Sequence, residues 1–450
     1  MTVLKEKPII VAAAFPAPGH TTGVMRISEH LIEKGYELYF ITRADFKAST
    51  DKIGAHFVEN AWAWEEVFAA RPPDAVGEMW NFKHIFADST PLAYRALKDT
   101  LEQVRKNHPE REVIILHESF SGGLGPFLYG APLPDGYTAL PKIINFHTSV
   151  YLPTELSFPP FGPGLPYDPT PENLALWQSI ADAMKPEMGG LIEHYNTVYK
   201  SLGATQPMTI PFFNVAMGLG DVTVLATAPS LEYPVRDPKL RFIGGLPLKP
   251  IGSNFVPPSW WPTLTTNAAL PANSPDKKKV VFVTQGTVHR NPTELILPTI
   301  NGLAARQDLL VIVTLGMRGA ELDEAARAAL PANAIVVDYL AYDAVLPFAD
   351  VFVSNAGYGG FMHGVMNGVP MVLAGTVADK AEVCARAEWA GIAVNLRAQE
   401  PGADAIRAGV DKVLADNGFK QTVVKLQREN QKLDAFAQID GILEEWAVGR

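Results

Sequence analysis

His20 is the residue whose position most strongly suggests chemistry. It follows an apolar run at residues 9–15 through the turn Pro16-Ala-Pro-Gly-His, and a helical pattern begins directly after it. Open α/β sheets bind their ligands at this edge, where strands give way to helices. An imidazole titrates near neutral pH, so His20 can accept the proton of a hydroxyl group. Considered in isolation, His20 would more often be a residue that caps the helix.

A histidine that acts as a base needs a partner for its second ring nitrogen. A further apolar run, residues 113–116, is followed by His117 and Glu118. A carboxylate can accept a ring N–H, so Glu118 is a candidate partner. His117 remains an alternative, and Glu118 could also be a solvated acid at a strand end.

A glycine-rich turn in the second half of the chain has the composition of a phosphate site. The apolar run at residues 350–354 is followed by Gly357, Gly359 and Gly360, and then by apolar residues at helical spacing. The first N–H groups of a helix are unpaired and carry partial positive charge, which suits a phosphate. Glycines remove the Cβ atoms that would keep a ligand away from the backbone. An ordinary turn between a strand and a helix can show the same spacing.

Alternating apolar runs and helical patterns must position these residues. Strands are predicted at residues 9–15, 38–42, 113–116, 142–146, 222–227, 280–284, 309–314, 335–337, 350–354 and 371–373. Strands that alternate with helices predict an α/β fold with parallel sheets. Two Rossmann-like domains are therefore expected at residues 1–246 and 278–424, joined by a Pro-, Asn-, Ser- and Thr-rich linker at 247–277. One long amphipathic helix is predicted at 423–446, and residues 425–450 are assigned to a separate C-terminal helical segment.

The composition excludes several classes of protein. The 450 residues are 47% hydrophobic and carry a net charge of −10, which argues against broad binding to nucleic acid. Cys384 is the single cysteine, so a disulfide framework is excluded and a reducing cytoplasm is expected. No apolar run reaches the ~18 residues of a spanning helix. The apolar N-terminal stretch is predicted to be a strand rather than a signal peptide.

The glycine-rich turn and its surroundings resemble the C-terminal signature of the UDP-glycosyltransferases, which transfer sugars from nucleotide sugars to small molecules. That signature runs roughly His-Gly-Gly-x-Gly-Thr-x-x-Glu-Ala-x-x-x-Gly-Val-Pro and then Asp-Gln. The matching residues are Asn355-Ala-Gly-Tyr-Gly-Gly, His363, Gly368-Val-Pro and the pair Asp379 and Lys380. Length, order and glycine placement agree, and the variants resemble a fungal or bacterial branch of the family.

Three polar residues depart from this signature. Asn355 replaces a diphosphate-binding histidine, His363 replaces a ribose-binding glutamate, and Lys380 replaces the glutamine of the sugar-binding pair. An asparagine can still donate to a phosphate oxygen, and a histidine can still bond a ribose hydroxyl. The lysine leaves the donor sugar undecided, and UDP-glucose is expected because glucose is frequent in the family.

The resemblance implies further donor-binding residues. Gly286 and Thr287 match a strand-end pair that contacts the donor phosphates in the family. Tyr339 matches an aromatic ring that stacks on uracil, and Tyr342 stands in place of a glutamine. Tyr358 lies within the glycine-rich turn and is included in the predicted donor site.

The resemblance also implies a fold and a mechanism. The fold is GT-B, in which two Rossmann-like domains face each other across a cleft and a last helix crosses back to the first domain. His20 corresponds to the catalytic base, and Glu118 stands where the family usually has aspartate. A base opposite the leaving group gives inversion. No Asp-x-Asp pair occurs to hold a metal, so a metal-independent reaction with the UDP-sugar as co-substrate and no separate cofactor is expected.

A loop at residues 151–167, dense in Pro, Phe and Gly, is predicted to contribute to an apolar acceptor cleft. The predicted acceptor-binding residues are Phe146, His147, Phe158, Phe161 and Tyr167. A lipophilic phenol, flavonoid, polyketide or sterol would suit such a cleft. A proline-rich surface loop without a binding role is the simpler alternative.

Two other classes remain open at this point. A dinucleotide-dependent oxidoreductase would need Gly-x-Gly-x-x-Gly after the first strand with an acid ~20 residues later, and residues 16–23 contain no such run. A non-catalytic protein that binds nucleotide sugars would explain the altered donor residues. Such a protein would not need a base at His20.

Overall fold

Two parallel β-sheets organise the chain, and the computed structural model describes residues 6–72, 75, 77–152, 157–249, 255–286 and 291–448. The strands in the described residues are β1 (Ile9–Ala13), β2 (Leu38–Thr42), β3 (His56–Glu59), β4 (Val113–Glu118), β5 (Lys142–His147), β6 (Val222–Leu225), β7 (Leu240–Phe242), β8 (Lys279–Thr284), β9 (Leu309–Thr314), β10 (Ala334–Val337), β11 (Val351–Ser354), β12 (Met371–Leu373) and β13 (Ala393–Asn395). The predicted strands are all present, with ends within two residues of the expected ones. The unpredicted β3, β7 and β13 are short strands near the sheet edges and lack a continuous buried apolar run.

The helices lie between the strands. In chain order they are α1 (Pro18–Glu33), α2 (Lys47–Ile53), α3 (Trp64–Ala69), α4 (Met79–Asn81), α5 (Thr90–Asn107), α6 (Gly125–Leu128), α7 (Pro171–Ser201), α8 (Phe212–Gly218), α9 (Trp261–Ala269), α10 (Ile296–Leu303), α11 (Glu324–Ala328), α12 (Tyr342–Val345), α13 (Tyr358–Met366), α14 (Lys380–Trp389), α15 (Ala403–Ala415), α16 (Asn417–Leu433) and α17 (Ala435–Val448). Among the described helices, none combines the length and apolar character needed to cross a membrane.

Each sheet reverses its strand order at one point. The first sheet has seven strands in the order β3-β2-β1-β4-β5-β6-β7, and the second has six in the order β10-β9-β8-β11-β12-β13. Every pair of neighbouring strands within each sheet is parallel. Ligands of such sheets bind where the order reverses, beyond the carboxyl ends of the strands. The switch points are therefore β1/β4 in the first domain and β8/β11 in the second.

One hydrophobic core runs through both domains. Phe15 and Phe120 of the first domain belong to the same buried cluster as Phe282 and Phe361 of the second. Other buried clusters cover the opposite face of each sheet. The domain interface is thus part of the core, which limits how far the two switch points can move relative to each other.

The predicted linker contains an ordered helix. Residues 250–254 lie outside the described part of the chain, but α9 follows them and buries Leu264 completely. The side chain of Asn267 accepts a hydrogen bond from the backbone N–H of Lys278 at 2.8 Å and donates to its carbonyl at 2.9 Å. These contacts attach α9 to the start of β8, so the second half of the linker belongs to the second domain.

The C-terminal segment is two helices, which corrects the prediction of one helix at 423–446. The chain breaks at Asp434, whose φ of 55° lies in the left-handed region. Helix α16 contacts α13 of the second domain, whereas α17 buries Ile439 and Ile442 in the core of the first domain. The hydrophobic pattern did not reveal the break because both helices bury one face. The end of α16 already reaches the first domain, because the side chain of Asn430 accepts the N–H of Gly245 at 2.8 Å, and α17 completes the crossing.

A buried ion cluster joins the two domains. Arg386 of α14 donates to Glu232 of the first domain, and its guanidinium also reaches Glu382 at 3.2 Å. The exposed fractions of the three side chains are 4%, 2% and 3%. The third guanidinium nitrogen donates to the carbonyl of Tyr151 at 2.7 Å. Glu382 in turn accepts the N–H of Gly162 at 3.0 Å. We call Arg386, Glu232 and Glu382 the interdomain ion cluster.

Replacing Arg386 should destabilise the protein strongly. Arg386→Met leaves two buried carboxylates without their cation, and breaking such a pair costs about 3–5 kcal/mol. Arg327→Met is the matched control because Arg327 pairs with Glu321 at an exposed site, where a pair contributes less than about 1 kcal/mol. Urea unfolding of both variants measures the difference. An Arg386→Met variant no less stable than the control would contradict a stabilising role for the cluster.

Candidate active site

His20 and Glu118 form a hydrogen-bonded pair at the switch point of the first sheet. His20 lies in the first turn of α1, and its Nδ1 is 2.9 Å from Oε1 of Glu118, the last residue of β4. An ionised carboxylate can only accept, so the ring donates its Nδ1–H and keeps the lone pair on Nε2. A neutral histidine oriented in this way is arranged to take up a proton.

Two more donors hold the Glu118 carboxylate. This side chain is completely buried, and its Oε2 accepts the backbone N–H of Phe15 at 3.2 Å. Its Oε1 accepts the hydroxyl of Thr148 at 2.9 Å. Buried charges require partners of this kind. The prediction from sequence missed Thr148, although a hydroxyl residue just beyond β5, beside β4 in the sheet, was a usable signal.

The alternation of side chains along β4 explains why Glu118 rather than His117 faces His20. Leu116 belongs to the core on the α1 side of the sheet, and Ile115 belongs to the core on the other side. Glu118 shares the side of Leu116 because strand side chains alternate. His117 is completely buried on the opposite side, and burial lowers its pKa to about 4. The structure therefore resolves the alternative in favour of Glu118.

The electrostatics of the pair raise the pKa of His20 above that of an ordinary histidine. Burial by itself lowers the pKa of His20, but the charge and hydrogen bond of Glu118 and the charge of Asp379 outweigh burial, so its pKa is raised. Burial raises the pKa of Glu118, but the charge and hydrogen bond of His20 and the donors of Thr148 and Phe15 outweigh it, so that pKa is lowered. Glu118 therefore stays ionised at neutral pH.

Aromatic rings surround the His20 imidazole. The ring centroids of Phe15, Phe120 and Phe86 lie 5.2, 5.6 and 6.1 Å from that of His20. These rings make the surroundings of the imidazole largely apolar and leave 24% of the His20 side chain exposed. The surface beside the base is therefore suited to an apolar molecule that carries a hydroxyl group.

Phe146 and His147 point to opposite sides of β5. Phe146 is 2% exposed and packs beneath α1, where a Cβ added at Gly23 would lie only 2.7 Å from its ring. This position corrects the prediction that Phe146 contacts the acceptor, because its ring fills the core. His147 lies 5.5 Å from the Phe120 ring and donates Nε2–H to the carbonyl of Val150 at 2.8 Å. Burial lowers the pKa of His147 to about 4.

Phe161 is linked to the base through other rings. Its centroid lies 6.3 Å from Phe82, which is 6.0 Å from Phe86, and Phe86 contacts His20. Phe161 also packs at 4.7 Å against Phe213. Among the predicted acceptor residues, Phe161 thus belongs to the aromatic surface that reaches His20.

Phe158 and Tyr167 belong to a separate aromatic cluster at the domain interface. The Tyr167 ring stacks on Tyr233 with centroids 4.7 Å apart, and Phe158 lies 5.7 Å from Tyr167. Trp389 of the second domain packs edge-on against Tyr233 at 5.4 Å. Tyr233 also lies beside Arg386, with the guanidinium 4.3 Å from the ring centroid. These contacts give Phe158 and Tyr167 a structural role beside the interdomain ion cluster.

The glycine-rich turn forms the N-terminus of α13 at the second switch point. Gly357 caps the helix without a side-chain hydrogen bond, and the first helical bond runs from the Phe361 N–H to the Gly357 carbonyl at 2.9 Å. The N–H groups of residues 358–360 therefore have no acceptor within the helix. A Cβ added at Gly359 would meet nothing within 4 Å. A ligand can thus approach this backbone directly.

Asn355 joins the turns after β8 and β11. Its Nδ2 donates to the carbonyl of Gln285 at 2.5 Å, and its Oδ1 lies 3.5 Å from the N–H of Gly357. One amide N–H is therefore used within the protein rather than offered to a phosphate. Gly286 has a φ of +75°, which favours glycine. Thr287, predicted beside it, lies outside the described residues.

Tyr339 and Tyr342 have different environments. Tyr339 is 41% exposed, and the guanidinium of Arg318 lies 4.7 Å from its ring centroid. The ring is therefore accessible to a planar ligand. Tyr342 packs 5.6 Å from Phe282, and its hydroxyl lies 3.1 Å from the hydroxyl of Thr284. The Tyr342 hydroxyl is used inside the domain, while its ring lies beside Gly360 of the glycine-rich turn.

His363 is paired with a carboxylate, and Tyr358 points toward the first domain. The Nδ1 of His363 lies 2.6 Å from Oδ1 of Asp343, and 40% of the His363 side chain is exposed. Its Nε2 is therefore the nitrogen left for a ligand. Burial raises the pKa of Tyr358. Thr227 of the first domain lies beside the buried Tyr358 hydroxyl and offsets part of that rise in pKa.

Asp379 is the residue of the second domain that lies close to His20. Its Oδ2 accepts the hydroxyl of Ser149, the residue after Thr148, at 2.5 Å. Its charge also contributes to the raised pKa of His20. Lys380 is 8% exposed, and its aliphatic chain lies beside Gly375. His20 of the first domain and the predicted sugar-binding pair of the second domain therefore lie close together where the two domains meet.

A fold with opposed crevices at two such switch points is that of the GT-B glycosyltransferases, and solved structures agree over the whole chain. The glycotransferase of kitacinnamycin has a TM-score of 0.68 at 18% identity, covering 98% of this chain and 99% of that one. Spinosyn rhamnosyltransferase SpnG, solved with thymidine diphosphate, has a TM-score of 0.63 at 16% identity, covering 98% and 100%.

Sequence relatives identify the family within this fold. Residues 300–445 match the family model of the erythromycin biosynthesis protein CIII-like C-terminal domain. UDP-glucosyltransferase 1 of Beauveria bassiana (strain ARSEF 2860) is 39% identical over 98% of this chain and 95% of its own length. UDP-glucosyltransferase B1 of Starmerella bombicola is 29% identical over 98% and 99%. The chain belongs to the UDP-glycosyltransferase family and is a UDP-dependent glycosyltransferase, which confirms the resemblance and excludes the two alternative classes.

The pKa of His20 should fall when Glu118 loses its charge. In the wild type the Glu118 carboxylate raises this pKa, whereas in Glu118→Gln burial still lowers it and the main opposing charge is gone. Histidine-labelled protein followed by NMR across a pH series should show a His20 midpoint above the usual 6.5 and a lower midpoint in the variant. A His20→Gln spectrum assigns the signal, and equal midpoints in wild type and variant would contradict the pairing.

Proposed function

We propose that this enzyme transfers glucose from UDP-glucose to a hydroxyl group of a lipophilic small molecule with inversion at the anomeric carbon. The observation that carries the proposal is the bond between Ser149 and Asp379 at 2.5 Å. This bond brings the predicted sugar-binding pair beside the His20–Glu118 pair. A hydroxyl on the His20 side and a sugar on the Asp379 side would then meet in one crevice.

The proposed reaction is a single displacement. The Nε2 of His20 takes the acceptor proton while the acceptor oxygen forms a bond to the anomeric carbon. The bond between that carbon and the diphosphate oxygen breaks, and UDP leaves with the electron pair. Glu118 accepts the Nδ1–H throughout and stabilises the imidazolium that forms. Because the base and the leaving diphosphate are on opposite sides of the sugar, the configuration inverts.

The negative charge that develops on UDP would be stabilised by the N-terminus of α13. Its N–H groups at residues 358–360 are free of intrahelical acceptors, and the helix dipole is positive at this end. Gly359 lets the diphosphate approach the backbone. In this scheme the helix terminus supplies the electrostatic stabilisation, and we propose that transfer requires neither a metal ion nor a cofactor besides the co-substrate.

The other predicted donor-binding residues are each proposed to contact one part of the UDP-sugar. Tyr339 offers a ring face to the uracil, while the Nε2 of His363 would reach a ribose hydroxyl. Asp379 and Lys380 would contact the sugar hydroxyls from the start of α14. The relatives named UDP-glucosyltransferase, one at 39% identity, support glucose as the sugar.

The acceptor is proposed to be lipophilic because of the rings beside His20. Phe86 and Phe161 are partly exposed, and they belong to one aromatic cluster with the buried rings of Phe15, Phe82 and Phe120. A relative named 4'-demethylrebeccamycin synthase from Lentzea aerocolonigenes, 29% identical over 97% of this chain and 98% of its own length, supports an acceptor from secondary metabolism. We also propose a cytoplasmic location, which the single cysteine, Cys384, supports.

Removal of the proposed base should abolish most turnover and spare donor binding. His20→Ala should lower kcat by about 100- to 10,000-fold, the usual contribution of a general base. UDP affinity, measured by calorimetry, should be unchanged because His20 lies in the other domain. His56→Ala is the matched control, since His56 is an exposed histidine on β3. UDP release with a panel of phenols measures turnover, and a fully active His20→Ala would refute the mechanism.

Removal of the Tyr339 ring should weaken donor binding. Stacking of a base on an aromatic side chain contributes about 1–3 kcal/mol, so Tyr339→Ala should raise KM for UDP-glucose by about 5- to 100-fold. Tyr339→Phe keeps the ring and should retain the wild-type KM. Initial rates at saturating acceptor measure both variants. Equal KM values for the Ala and Phe variants would contradict stacking at this position.

A further inference from the structure

Three metal-ligating side chains converge in the first domain outside the site described above. The Nδ1 of His84 lies 2.9 Å from one carboxylate oxygen of Asp88, and the Nε2 of His194 lies 2.6 Å from the other. The three potential ligand atoms all lie within 4.8 Å of one another. The two imidazole rings are nearly perpendicular, with centroids 5.4 Å apart. We call these residues the His-Asp-His cluster.

The cluster joins two separate parts of the chain. His84 lies in a π-helical turn, Phe82–Phe86, and Asp88 follows in the next turn. His194 lies 106 residues beyond Asp88, on the long helix α7. π-Helical turns are rare and occur often at functional sites. The turn places His84 and Asp88 on the surface that faces α7, so the tertiary fold completes the set of ligands.

The donor set suits a divalent transition metal. Two imidazoles and one carboxylate are ligands of zinc and of other first-row metals, and a site with three protein ligands leaves a position for water. Ligand atoms about 2.0–2.1 Å from a tetrahedral zinc ion are about 3.3 Å apart. The 2.6 and 2.9 Å separations are hydrogen-bonding distances, so metal binding would shift the proton on each coordinating nitrogen to the other ring nitrogen and separate each imidazole from Asp88 by less than about 1 Å. The remaining separation between ligand atoms, at most 4.8 Å, would shorten by up to about 1.5 Å.

The surroundings allow entry of an ion from solvent. The exposed fractions of the His84, Asp88 and His194 side chains are 37%, 36% and 28%. Trp80 covers one side of His84, with ring centroids 4.8 Å apart. The cluster is thus accessible to solvent, and packing against Trp80 orients the His84 ring.

We propose that His84, Asp88 and His194 bind one divalent transition-metal ion. The ion clamps the turn at residues 82–89 to α7. Phe86 lies two residues from His84 and two from Asp88, and its ring touches that of His20. Phe82 touches Phe161. The metal therefore stabilises one side of the aromatic surface without taking part in the sugar transfer. This site does not depend on the proposed donor or acceptor.

Cobalt titration tests the site directly. Tag-free protein is stripped with a chelator, and Co²⁺ is added while d–d absorption is followed. The wild type should show saturable bands at one equivalent, and Zn²⁺ should abolish them. His194→Ala should lose the bands, as should Asp88→Asn, which keeps the size of the side chain and much of its hydrogen bonding. His56→Ala is the matched control and should bind like the wild type.

A second measurement separates metal binding from loss of the hydrogen bonds alone. Zn²⁺ should raise the Tm of the wild type and slow amide hydrogen exchange in the peptide covering residues 82–89, because it binds only the folded state. Neither effect should occur in Asp88→Asn. Absence of saturable bands in the wild type overturns the proposal. Equal bands in wild type and His194→Ala overturn it as well, because the ion would then bind elsewhere.

Discussion

The orientation of the two domains is the constraint on which the active site depends. His20 comes near Asp379 only when the two domains are oriented as they are here, with Ser149 hydrogen-bonded to Asp379. The interdomain ion cluster holds this arrangement, because the buried guanidinium of Arg386 satisfies a carboxylate from each domain. A buried charge left without its partner is costly, so such a cluster favours one relative orientation over others. The bond between Ser149 and Asp379 then forms at the centre of the crevice.

Within the first domain, strand alternation decides which side chains reach the crevice. Glu118 lies on the side of β4 that carries α1, and it therefore meets His20. Its neighbour His117 lies on the other side and remains buried and neutral. The same alternation sends Phe146 into the core and His147 toward Phe120. The alternation of side chains along a strand thus keeps His117 and Phe146 away from the His20–Glu118 pair or its surroundings.

Within the second domain, binding capacity is mostly in the backbone. The open N-terminus of α13 is free to receive a diphosphate, whereas several side chains at the altered positions of the signature are used by the protein itself. Asn355 joins two turns, and Asp343 orients His363. This division explains how the glycine pattern can persist while the polar residues around it differ. In the proposed donor site the backbone supplies the contacts to the anion, and the side chains stabilise the shape of the turn.

The sequence by itself indicated the α/β fold with parallel sheets, ten of the thirteen described strands, His20 as a candidate base and the glycine-rich turn, because apolar periodicity and glycine placement are local properties. It also indicated Glu118 as a partner of His20, although only the structure separated it from His117. Tertiary structure alone decided the contacts between distant segments: Thr148 on Glu118, Ser149 on Asp379, and Arg386 on Glu232. It also placed the break at Asp434 and the core position of Phe146. Such facts depend on which faces meet after folding, and no local pattern along the chain records that choice.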